Sequence, residues 1–140
     1  MSRTWTVLLP PTIDPVGPES LADIATCTSR AVYADEDALV ADIDRYDAII
    51  TRTQPVTERL LAAADRLQIV AKHGTGVDNV DLAAASEHGV IVANTPGENA
   101  NSVAEHAVAL LLAATRNVAD ADRATQAGEW RRADFRGRDL

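Results

Sequence analysis

An α/β fold built on a parallel sheet with helices on both faces follows from three features of the chain. Short apolar runs rich in β-branched residues recur at Trp5 to Leu9, Asp47 to Thr51, Leu67 to Ala71 and Val90 to Ala93, and such runs read as strands buried on both faces. Segments with helical spacing lie between them, and the connections are too short for anything but crossovers between parallel strands. The third feature is the stretch LQIVAKHGTGVDNVDLAAASEHGVIVANTP, from Leu67 to Pro96, which holds a strand, a glycine loop, a helix and a strand in one right-handed βαβ unit.

The first strand, Trp5 to Leu9, runs into Pro10 and Pro11, which cannot continue a central strand. Leu21, Ala22, Ile24 and Ala25 have helical spacing after Glu19 and Ser20, which predicts a helix there and a second strand over Ala31 to Ala34. Asp35 to Tyr46 places Leu39, Val40 and Ile43 on one face and acids in its first turn, as an amphipathic helix does. Asp47 to Thr51 is the third strand, and Pro55 and Val56 open a third helix carrying Leu60, Leu61 and Ala64. After the strand at Leu67, Asp78 or Asp81 caps a helix of Leu82 to His88 that Gly89 ends, and Val90 to Ala93 is the last strand.

Beyond Pro96 the character changes. Ser102 and Glu105 form a capping box that opens a helix reaching about Asn117. Its apolar residues cover nearly every side, Val103, Ala107, Leu110, Leu111 and Ala114 in one stripe and Ala104, Val108, Leu112 and Ala113 over much of the rest. A helix of that kind needs neighbours all round, so it is expected to pack on a second domain, a second subunit or both. A more polar helix over Ala119 to Ala127 stops at Gly128, and the chain then halts without a closing element. The organisation expected is a sheet domain over residues 1–98 and linker helices over 99–140.

Net charge is −8 over 140 residues, which argues against a nucleic-acid partner because phosphate backbones need a basic surface. Cys27 is the one cysteine, so no internal disulfide is available, and the start MSRTWTVLLPP lacks the layout of a secretion signal. No apolar segment reaches the length of a membrane span. A cytoplasmic protein without a membrane partner is expected.

In open α/β sheets ligands sit outside the carboxyl ends of the strands, which focuses attention on residues 72–78. Gly74 and Gly76 flank Thr75 where the backbone can turn sharply and aim successive amides at one anion. Lys72 ends its own strand and Arg52 ends the third, so in a parallel sheet both lie on the same edge as the loop. A ligand carboxylate on the amides of Thr75 and Gly76 would then meet positive charge at its other end. The plainer alternatives are a tight turn that needs glycine, and a solvated rim or salt bridge for the two cations. The dinucleotide fingerprint fails, because Asn79 stands at the third glycine position and Ala93, Asn94 and Thr95 supply no ribose-binding carboxylate. His73 is read as a hydrogen-bonding residue, His88 as charge at a helix end, and His106 as an interface or interdomain hydrogen bond. The histidines and Cys27 have no metal-ligand spacing.

The stretch from Leu67 to Pro96, continued by NSVAEHAVALLLAATRNV and by AGEW, closely resembles the D-isomer-specific 2-hydroxyacid dehydrogenases, and within them the branch that acts on phosphoglycerate. The resemblance is strong from Asp47 onward. It implies a flavodoxin-like substrate domain, a separate NAD-binding Rossmann domain entered through the long helix that also builds the dimer (the 102–117 helix here), and NAD-linked hydride transfer at carbon 2 of a hydroxy acid. It implies that Gly74, Thr75 and Gly76 hold the substrate carboxylate, that Arg52 and Lys72 meet the phosphate, and that Asn101, Ser102 and Val103 lie close to the nicotinamide. It also implies that the first Rossmann strand, the catalytic arginine, glutamate and histidine, and a segment completing the substrate domain would follow FRGRDL, so the Rossmann domain is absent from this chain. None of His73, His88 and His106 matches the catalytic histidine. The reading that follows is the substrate-binding part of an NAD-dependent 2-hydroxyacid oxidoreductase, inactive alone. The alternative is a stand-alone module that binds small carboxylates or phosphates, or that dimerises.

Overall fold

The computed structural model describes residues 4–139; the outermost residues of the two expected domains, 1–3 and 140, lie outside them. Five strands, β1 (Trp5–Leu9), β2 (Ala25–Ser29), β3 (Ala48–Thr51), β4 (Ile69–Lys72) and β5 (Ile91–Ala93), form one sheet in the order β2-β1-β3-β4-β5, every neighbouring pair parallel. This is the flavodoxin-like order. The register sets Thr51 opposite Lys72 and Ala71 opposite Ala93, so residues far apart in the chain finish together on one edge.

Short helices α1 (Val16–Glu19), α2 (Glu36–Val40), α3 (Glu58–Ala62) and α4 (Leu82–Glu87) connect the strands. Three start on side-chain caps: Asp35 accepts from the Ala38 amide, Thr57 from Leu60 and Asp81 from Ala84, each satisfying a donor that the first helical turn leaves open. Between the two carboxylates considered for α4, the cap is Asp81. Gly89 ends that helix at φ +69°, a conformation costly to any side chain.

Side-chain alternation along the strands makes two cores. Leu8, Ile49 and Val70 point to one face, where Leu39, Ile43, Leu60, Leu61, Ala84 and Ala85 cover them. Val7, Leu9, Ala25 and Ala48 point to the other, where Ile13 and Leu21 are among the few residues packed on them. Both faces are covered, as expected, with the larger buried cluster on the first. An apolar hollow of about 270 Å³ opens on the second face beside Trp5, Leu21 and Ile24. At the amino-terminal edge Asp47 ties three strands: its buried carboxylate accepts from the Thr6 amide at 2.9 Å and from Arg66 at 3.0 Å, while its carbonyl accepts from Gln68.

Three expectations fail before residue 47. The helix expected around Leu21 to Ala25 is instead α1, lying earlier, and the strand expected over Ala31 to Ala34 is β2, six residues upstream at its start. Pairing decides this, since Trp5 to Leu9 takes Ala25 to Ser29 as its parallel partner. Arg30–Val32 then forms a 3-10 turn on the Ser29 hydroxyl. The helix expected over Asp35 to Tyr46 breaks into α2 and a 3-10 turn at Ile43–Arg45, yet Leu39, Ile43 and Tyr46 stay fully buried on the same side.

Residues from Glu98 onward form a second compact unit. It holds α5 (Ala100–Thr115) and α6 (Val118–Gln126), joined at Asn117, whose φ of +53° turns the corner. The expected capping box is absent as such, because α5 begins at Ala100 behind Asn99 and Ser102 lies inside its first turn. No residue of α5 is buried. The tail folds back on the corner, with Arg138 donating to the Thr115 carbonyl and Asn117 to that of Arg136. A Cβ on Gly137 would come within 2.8 Å of Arg116 and Thr115, so only glycine fits there. Among the described residues no helix is long and apolar enough to cross a membrane.

Candidate functional site

The carboxyl edge of the sheet brings together the ends of β3, β4 and β5. The β4 strand leads directly into the glycine loop, which leaves the sheet with the His73 amide on the Thr51 carbonyl and the Gly74 amide on the Lys72 carbonyl. Gly74 sits at φ +147°, where L side chains are rare, and a Cβ there would stand 3.3 Å from Lys72 Cε. The lysine stem therefore passes against the loop, and the positive φ at Gly74 is what calls for glycine there. From the other side the end of β5 supports the loop: Asn94 donates to the Thr75 carbonyl at 2.7 Å, the Thr95 amide to Gly74 at 3.1 Å, and the Thr75 hydroxyl to Thr95. Gly76 has the Asp78 carboxylate 3.1 Å from where its Cβ would lie.

Lys72 does not extend into solvent. Its ammonium donates to the carbonyl of Arg52 and, at 2.6 Å, to Asn79 Oδ1. Asn79 in turn donates through Nδ2 to the Gln54 carbonyl at 2.6 Å and toward the Thr51 hydroxyl at 3.4 Å, and its backbone carbonyl accepts from Val56. The Thr51 hydroxyl closes the set on Gln54 at 2.8 Å. Arg52 is exposed, next to this knot. From the far side Arg30, just past β2, donates to the Pro55 carbonyl at 3.1 Å. Partial burial pushes its guanidinium down from the ordinary value, with Glu36 acting the other way.

Of the residues singled out in the sequence, Arg52, Lys72, Gly74, Thr75 and Gly76 come together on this edge. Asn101, Ser102 and Val103 lie exposed in the first turn of α5, in the second unit. His73 is exposed beside the loop. Sequence reasoning missed the parts played by Asn79, Gln54, Asn94 and Arg30. The one available signal was Asn79 standing where a fingerprint glycine would be. Among the described residues no group of three or more potential metal ligands forms.

A family model described as D-isomer specific 2-hydroxyacid dehydrogenase, catalytic domain, matches residues 7–130. The chain belongs to this dehydrogenase family. The D-3-phosphoglycerate dehydrogenase of Archaeoglobus fulgidus is 43% identical over 105 residues, 74% of this chain but 20% of that protein. A solved 2-hydroxyacid dehydrogenase from Ketogulonicigenium vulgare superposes with a TM-score of 0.79 at 29% identity, over 99% of this chain and 45% of its own. The NAD-dependent formate dehydrogenase of Staphylococcus aureus, solved with NAD, does so at 0.78 and 27%, over 93% and 44%. The chain thus spans about a fifth of the length of the curated 2-hydroxyacid dehydrogenase it matches and less than half of these solved ones.

A dinucleotide does not fit the glycine loop of the sheet unit. The position that the fingerprint reserves for close helix packing holds Asn79, committed to Lys72 and Gln54, and the Asp78 carboxylate faces Gly76, where a pyrophosphate would approach.

Proposed function

We propose that this chain is the substrate-binding part of an NAD-dependent 2-hydroxyacid oxidoreductase of the phosphoglycerate type, and that it does not turn over alone. The observation that carries the reading is the placement of Arg52 on the same sheet edge as the Gly74 to Gly76 loop in a chain of this family. A hydroxy acid laid along that edge puts its carboxylate on the loop amides of Thr75 and Gly76. Its phosphate then faces the charges of Arg52 and Lys72. The fixed donors and charges of such an edge orient the substrate before any chemistry occurs. NAD is the cofactor named for one longer relative, the formate dehydrogenase of Staphylococcus aureus, and Asn101, Ser102 and Val103 are assigned to the nicotinamide side. Catalytic residues are assigned to none of the 140 positions.

Titration with D-3-phosphoglycerate, followed by amide NMR, tests the reading. Shifts concentrated at Gly74, Thr75, Gly76 and Arg52 are expected, and a flat titration sinks it. A parallel assay with NADH and 2-oxo acids should give no turnover; sustained oxidation of NADH would overturn the claim of inactivity. The bare flank of α5, where Leu110, Leu111 and Leu112 are 43–56% exposed, favours a second reading, a homodimer formed through this helix, since such patches are seldom left in water. Light scattering decides it, and a clean monomer would count against it.

A further inference from the structure

We propose that Asn79 and Lys72 are positioning residues that set the distance between Arg52 and the glycine loop, and that this spacing selects hydroxy acids carrying a second anionic group. The inference rests on the substrate-binding reading above and assigns a task to residues which that reading leaves as bystander or simple charge.

Asn79 can sit in its place in one orientation only. Its Oδ1 faces an ammonium, which can only donate, and its Nδ2 faces the Gln54 carbonyl, which can only accept. Both neighbours therefore fix the same amide orientation. Aspartate would put a carboxylate oxygen against the Gln54 carbonyl. Leucine or alanine would leave that carbonyl and the ammonium without this partner.

The 52–55 segment hangs by its carbonyls from three other parts of the sheet unit. Lys72 holds that of Arg52, Asn79 that of Gln54, and Arg30 that of Pro55. With the backbone held from behind, the Arg52 side chain stays exposed at the edge. The lysine that grips Arg52 also lies against Gly74 through its stem. One side chain thus touches both halves of the proposed site, and Asn79, seven residues on, fastens it. The separation between loop amides and Arg52 is therefore set by a lysine whose ammonium is pinned at two acceptors and by the asparagine that supplies one of them. A molecule with a carboxylate at one end and a phosphate at the other meets both only if its length matches that separation. A monoanion engages the loop alone. Two of the three ammonium donors of Lys72 are taken by protein acceptors, so its direct share in holding ligand is small beside its part in holding Arg52.

The test compares D-3-phosphoglycerate with D-glycerate, which lacks the phosphate, by calorimetric binding to the 140-residue chain. The wild-type chain is expected to prefer the phosphorylated compound, and Arg52→Ala to lose that preference. Asn79→Ala is the deciding variant, because it removes no charge and frees the ammonium of Lys72. Positioning predicts that the preference falls roughly tenfold, the worth of one hydrogen bond to a charged group, with D-glycerate affinity unchanged, and that the variant has no further effect on preference once Arg52 is alanine. If Asn79→Ala keeps or raises the preference, the freed charge of Lys72 and not the spacing carries it, which would overturn the inference. Should alanine at 79 abolish cooperative unfolding, Asn79→Ser, too short to span to Gln54, carries the same comparison. Binding of neither compound to the wild-type chain would overturn the substrate reading itself, a result distinct from an unchanged preference in the variant.

Discussion

The helices of the sheet unit and those of the second unit invert the usual relation between length and anchorage. Helices α2, α3 and α4 are five or six residues long, far too short to persist in water on their own. Yet Leu39 and Leu60 are 0% exposed and Leu61 and Ala85 1%. Helix α5 has sixteen residues, most of them apolar, and buries none. The contrast teaches that helices here are held by what they cover. Three caps and one shared core suffice for one turn and a half, while the long apolar helix stays unburied along its whole length.

The contrast can be tested from both sides. Leu60→Ala, which hollows the larger core, is expected to cost about 2–5 kcal/mol, read as a lowered midpoint in urea unfolding; a change under the scatter of surface variants would mean that core is looser than its burial implies. Asp47→Ala should follow at about 1–3 kcal/mol, since it strands the Thr6 amide and removes the partner of Arg66. A smaller effect, seen only at the extremes of pH, is expected where Tyr33 bridges Asp42 and the buried Tyr46, with hydroxyl contacts of 2.5 and 2.7 Å. The Tyr33 hydrogen bond, helped by Arg45, holds the Asp42 carboxyl below the usual carboxylate range. The stability it adds is present above the unfolded value of about 3.9 and is lost as pH falls through the folded one. Desolvation first, then Asp42 and Tyr46, push the Tyr33 phenol up, so stability should also decline as pH rises past about 10. Thermal melts of Tyr33→Phe should show a weaker alkaline decline, the part left by the Cys27 thiol that burial also pushes up remaining, and a weaker acid one. Smallest of all, Leu111→Gln on α5 should shift unfolding of the sheet unit by no more than about 0.5 kcal/mol. A large loss there would show that α5 is anchored after all, whereas conversion of a dimer to monomer would identify its cover.

What was legible beforehand follows the same physics. Strands β1, β3, β4 and β5 announce themselves because their apolar residues are contiguous and bounded by proline, glycine or aspartate. Strand β2, ATCTS, has almost no hydrophobic signal, and the spacing of Leu21, Ile24 and Ala25 imitates a helix; only the neighbouring Trp5 to Leu9 makes it a strand. At the candidate site the glycine loop and the cationic strand ends were readable from local sequence and the rule for parallel sheets. The direction of the Lys72 ammonium was not, since it depends on the Arg52 carbonyl twenty residues earlier. Nor was the task of Asn79, whose partner Gln54 is twenty-five residues away.

The fold-back at the end of the second unit has a mechanical consequence. Residues 117–136 form a loop whose two ends are fastened at one corner, by Asn117 to Arg136 and by Arg138 to Thr115, with Gly137 seated flush against the helix turn. The arrangement is a buckle. Tension applied to the chain at residue 138 meets these two hydrogen bonds at the end of α5 before it reaches α6.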